Sequence, residues 1–75
     1  MIIGIDVQST VIDWQAQTLT ITDKDDQSIH IVPLDATIHV TMLGYPEREE
    51  KQMQARDLGE YMAKGYIIEK IICEE

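Results

Sequence analysis

Seventy-five residues with fourteen acids against six bases carry a net charge of −8. A field of that sign repels nucleic acid, anionic lipid and phosphorylated ligands, and it attracts basic partners. The lone cysteine, Cys73, excludes a disulfide within the chain, and no Cys/His spacing suits a structural zinc.

A single domain of this size buries only ~60 % of its unfolded surface, so its core is marginal without help. With disulfide and metal set aside, oligomerisation is the expected aid, and a homodimer is the simplest form of it. The N-terminus lacks the basic region of a signal peptide, since the first cation is Lys24. No apolar run approaches the ~20 residues that span a bilayer. These features predict a soluble, cytoplasmic protein with no membrane contact and Cys73 as a free thiol.

Met1–Val7 reads as a short apolar first strand, broken at Gln8-Ser9. From Thr10 to Met42 apolar and polar residues alternate with a period of two, the mark of strands with one buried and one solvated face. A four-residue loop at Gln15–Thr18 sets Trp14 opposite Leu19 and Ile12 opposite Ile21, with Trp14 in the core. Lys24-Asp25-Asp26 makes the next turn, placing Ile21 opposite Ile29 and Leu19 opposite Ile31. Pro33–Ala36 is read as a third hairpin turn, with Ile38 opposite Ile31. Thr20, Thr22, Ser28, His30, Thr37, His39 and Thr41 then share the free face.

Pro46 suits the first position of a helix running to about Lys64, with Gly65 as its left-handed stop. Glu47, Glu49 and Glu50 complement the positive end of the helix dipole. Ala55, Leu58, Tyr61 and Met62 form the helix's narrow apolar stripe, with Met53 at its flank. Tyr66–Cys73 is a last strand, with Ile67 and Ile71 on one face and Ile68 and Ile72 on the other. Strands apolar on both faces lie inside a sheet or under a second layer, so the two terminal strands are placed near each other. The fold class expected is α+β: one mainly antiparallel sheet of five or six strands, a meander, with one helix (about 46–64) on one face and a C-terminal strand (66–73).

Chemistry is sparse. His30 and His39 face each other if the Leu34-Asp35 turn is tight, but two imidazoles among hydroxyls are an ordinary cross-strand pair rather than a metal site. Asp6, Asp13 and Asp35 lack any phosphate loop or second acidic motif. Neither Ser9 nor Ser28 sits in a nucleophile elbow, and Cys73 has only Lys70 nearby to activate it. No catalytic residue, cofactor or metal is assigned, and the chain is read as a non-enzyme.

The function expected is a protein-interaction module, most concretely a small acidic inhibitor or immunity-type protein. It would occupy a basic surface of a nucleic-acid-handling enzyme, in the manner of anti-restriction, anti-CRISPR or nuclease-immunity proteins. Asp23, Asp25, Asp26, Asp35, Glu47, Glu49 and Glu50 are its candidate contacts to that basic protein partner, with no direct nucleic-acid binding. One alternative is a small ligand, or a pH-sensitive role, on the face that carries Thr20, His30, Thr37 and His39. Another is a structural subunit of an oligomer whose charge serves only solubility.

Overall fold

Period-two alternation between Thr10 and Met42 does become strand, and the described residues form six strands in all. The computed structural model describes residues 1–44 and 47–74. Its strands are β1 (Ile2–Asp13), β2 (Thr18–Asp23), β3 (Ile29–Pro33), β4 (Thr37–Leu43), β5 (Arg48–Gln54) and β6 (Ile67–Glu74). A 3-10 turn, Ala55–Asp57, leads into one short helix, α1 (Leu58–Ala63). All pairings are antiparallel, in the order β3-β2-β1-β6-β4-β5. The expected class stands: a single antiparallel sheet, one helix and a C-terminal strand beside the first strand.

The sheet cannot be flat. β3 and β4 lie four positions apart in the ladder, about 19 Å in a flat sheet at ~4.8 Å per strand. Only Leu34, Asp35 and Ala36 join them, and four Cα steps reach at most ~14 Å. The sheet must therefore curl over its own concave face. A bulge between Val7 and Ser9 provides the corner. Up to Asp6 β1 pairs with β6, and from Val7 onward with β2, as strands do when they pass between two halves of a folded sheet. The crossover is pinned at both sides: the Leu34 N–H donates to Gln17 O, and the Ala55 and Arg56 N–H groups donate to Ala36 O and Leu34 O.

The concave face holds the core. Ile5, Leu19, Ile21, Val32, Ile38, Val40, Met42 and Ile71 are buried there, together with Leu34, Ala55 and Leu58. Of the stripe read as helical, Met53, Ala55 and Leu58 are buried, and Tyr61 and Met62 pack half-buried against the core. Tyr61 stacks edge-on to Tyr66 with centroids 5.4 Å apart, and the Lys51 ammonium lies 5.6 Å from its ring centroid. Gly65 ends the helix segment with φ 92, as its position suggested.

Five local expectations need correction. First, residues 48–54 are strand, not helix. Every residue there is a good helix former, but propensity is a weak prior that tertiary context overrides, and a strand there pairs the open side of β4 along seven residues and turns Met53 inward opposite Ile38. Pro46, proposed as the first helical residue, lies outside the described residues, and Glu47, Glu49 and Glu50 precede or belong to β5 rather than a helix. Second, β1 and β2 pair two residues off the expected register, Ile12 with Leu19 and Thr10 with Ile21. Asp13 Oδ1 accepts the N–H groups of Gln15 and Ala16, both at 3.0 Å, and Gln17 takes φ 58. That loop draws Trp14 out of the strand, so it is exposed and not core.

Third, β3 is displaced by one residue, which reverses its faces. Asp26 Oδ1 accepts the Ser28 N–H and Gln27 adopts φ 62, lengthening the turn. His30 now opposes Ile21 and Val32 opposes Leu19, so Val32 enters the core and Ile29 and Ile31 face solvent. Fourth, Pro33–Ala36 is no hairpin turn, and Ile31 and Ile38 are not partners. Fifth, the ladder shifts between Thr41 and Met42, where Glu69 is the extra residue of β6. Ile68 and Ile71 consequently share the inner face, while Ile67 and Ile72 point outward.

Candidate functional site

The β2–β3 turn gathers carboxylates because aspartates build it. Asp23 Oδ1 accepts the Asp25 N–H at 2.8 Å and Asp26 Oδ1 accepts the Ser28 N–H at 2.9 Å. The turn docks on β1 through the Lys24 N–H, which donates to Asp6 O at 2.9 Å. This brings Asp6 against Asp25, and a hydrogen bond between the two carboxyl groups, with Asp23 nearby, raises the Asp25 pKa above its ordinary value. Asp26 shifts the other way, because the Ser28 hydroxyl and N–H both favour its charged form.

Opposite signs follow for stability. The raised Asp25 pKa means the folded chain holds that proton more tightly than the unfolded chain. Its stabilising contribution is complete below the ordinary aspartate range and disappears as pH rises through the raised value. Asp26 stabilises above the ordinary range and loses that contribution as pH falls through its lowered value. At neutral pH, then, the Asp6–Asp25 contact is a liability. Asp25→Asn should raise the melting temperature at pH 7, and the gain should shrink toward pH 4. An equal gain at both pH values would remove charge repulsion from the explanation.

The second group of acids sits at the start of β5. As a strand, this segment sends Glu49 to the inner side and Glu50 to the outer side, so the two do not form one patch. Arg48 pairs with Glu69 across the sheet, Nε to Oε1 at 2.9 Å, with the Arg48 end well exposed and the Glu69 end half-buried. Arg48, Glu69, Lys70, Lys24 and Asp6 line one depression of about 450 Å³. The β2–β3 turn and the beginning of β5 therefore border the same surface. Asp35 does not: it lies on the crossover, at the opposite end of the β2–β3 hairpin.

The Thr/His face divides. His30 and His39 lie on opposite faces of the sheet and on strands that are not neighbours, so the facing pair does not exist. His30 is half-buried on the inner side, 3.0 Å from Ser28 Oγ. Thr20 sits on the outer side of the β1–β2–β3 half, in a row with Val11 and Ile31. Thr37 and His39 do stay together, on the outer side of the β6–β4–β5 half. There a shallow trough of about 610 Å³ is bordered by Ile2, Ile72, Thr37, His39, Gln52 and Glu50. Gly4, Ile72, His39 and Gln52 form one row across four strands, and the missing side chain at Gly4 leaves room for the stem of Lys70.

Sequence reading missed this trough because it depends on Ile2 and Ile72 meeting Thr37 and His39 across strands distant in the chain. Among the described residues no cluster of three or more His, Cys, Asp or Glu side chains could hold a metal ion. No helix among them is long and apolar enough to cross a membrane. Comparison with protein-family models, curated proteins and solved structures finds no match.

Proposed function

We propose that the chain is a non-enzymatic protein-interaction domain, a small acidic inhibitor or immunity-type protein that occupies a basic surface of a nucleic-acid-handling enzyme. The observation that supports this reading is the Asp6–Asp23–Asp25 contact. The fold keeps carboxylates close enough to raise the Asp25 pKa, at a cost to its own stability at neutral pH. Repulsion of that kind is useful where a cationic partner relieves it, and clustered charge also speeds the partner's approach. Asp23, Asp25 and Asp26 on the β2–β3 turn and Glu47 and Glu50 at the start of β5 are the proposed contacts; they flank the basic side chains Lys24 and Arg48 of the depression, and Glu50 itself borders the outer trough. Asp35 stands apart from it, and Glu49 turns to the inner side.

The experiment is a comparison of association rates with basic-surfaced restriction and CRISPR-type nucleases. Neutralising Asp25 and Asp26 to Asn, or Glu47 and Glu50 to Gln, should slow capture about tenfold in low salt. The difference should close at high salt, since exposed charges are screened beyond ~10 Å at 0.1 M. Wild-type rates for both double variants in low salt would defeat the charge-based reading.

A second reading, a small ligand in the outer trough, draws on one observation: Thr37 and His39 share a concavity with Ile2 and Ile72 whose volume falls within the ~300–1,000 Å³ range of ligand sites. A melting shift with a small ligand and no protein partner, abolished by His39→Ala, would favour it. Thr20 and His30 take no part in such a site.

A further inference from the structure

The two edges of the sheet are built differently. β5 presents Arg48, Glu49, Glu50 and Lys51 in succession, the kind of charged edge that discourages strand addition. β3, at the other edge, reads Ile-His-Ile-Val-Pro and carries no acid or base apart from the imidazole. Among the described residues β2 is its hydrogen-bonded strand neighbour, and no strand pairs its other side. Ile29 and Ile31 are 64 % and 60 % exposed, and Pro33 at the strand's end is the only guard. In a chain where 27 % of residues are charged, this is the one edge at which strand pairing meets no like charge.

We infer that the β3 edge is a self-association surface, at which a second copy of this chain adds its own β3 in antiparallel sense. The occupant is argued from charge and symmetry. Two molecules of net −8 repel at most approaches, and pairing β5 with itself would oppose glutamates. An antiparallel β3 pair centred on Ile31 is self-complementary, as a two-fold interface requires. Ile31 meets its own copy, Ile29 meets Pro33, and His30 meets Val32. The outer row Val11–Thr20–Ile31 then continues across the two-fold axis as one apolar stripe.

The terminal strands β1 and β6, apolar on both faces, offer no such edge, because they pair with each other inside the sheet. Five residues per strand and their flanking side chains cover on the order of 500 Å² per copy, the small end of specific interfaces. The pairing is accordingly a reversible, concentration-dependent one. It does not depend on the inhibitor reading, whose contacts lie at the β2–β3 turn and β5.

Sedimentation of the full chain from micromolar to millimolar concentration tests this directly. The mass should rise from 8.6 kDa toward twice that value, and salt should tighten association by screening the mutual repulsion. Ile31→Lys sets two ammonium groups opposite each other and should weaken association at least ~10-fold. Ile31→Thr, which keeps the β-branched shape, should weaken it less and guards against a folding artefact. Ile2→Lys, on the trough side, should leave association unchanged. A wild-type chain that remains at 8.6 kDa at millimolar concentration overturns the proposal. So does association that salt weakens, that Ile31→Lys spares, or that Ile2→Lys abolishes.

Discussion

Leu58→Ala is expected to cost about 2–5 kcal/mol, the range for truncating a fully buried leucine. A domain of this length has only ~4–11 kcal/mol of total stability, so much of the chain would unfold at moderate temperature. The effect should be this large because α1 has six residues, too few to persist alone in water. Its hold on the sheet is Leu58, which is fully buried, with Tyr61 and Met62 only partly so. Losing that anchor leaves a cavity and also loosens the helix from the core cluster. Urea titration reads the change as a lower midpoint with a similar slope. A shift worth less than ~1 kcal/mol would mean that the loops rather than the helix close the core.

Val32→Asp and Ile31→Asp should differ sharply although the residues are neighbours. Val32 is 2 % exposed and opposes Leu19, so a carboxylate there is buried without a partner and should cost at least ~3 kcal/mol. Ile31 faces solvent, and the same change should stay within about 1 kcal/mol at concentrations low enough to keep the chain monomeric. The pair isolates the β3 register, because the one-residue alternative puts Ile31 inside and Val32 outside. Thermal melts with the order reversed would restore the register that apolar alternation suggested, with Ile29 and Ile31 inside.

Strand against helix was legible wherever alternation was strong, as in Leu19–Ile21 and Ile38–Val40–Met42. Those apolar positions are core in the structure. It failed at Arg48–Gln54, which lacks a period-two apolar pattern and becomes a strand only because β4 offers an unpaired side. The acids that cluster were legible as composition. Their contact with Asp6 was not, since it needs the β2–β3 turn to fold back on β1.

The sequence by itself determined the class of fold, the place of the helix stop at Gly65 and the apolar positions of β2 and β4. It also determined the acidic turn. Each of these is local: a period, a turn residue, a permissive glycine or a count of charges. Tertiary structure alone decided which strands are neighbours, which face β3 turns to the core, and that the third connection is a crossover. The physical reason is that a loop's length and its Asx bonds fix register to the single residue, and one residue reverses a face. The bulges near Gln8 and at Glu69 act in the same way. Each bends or reverses a strand to let a six-stranded sheet close over a core that one short helix could not cover.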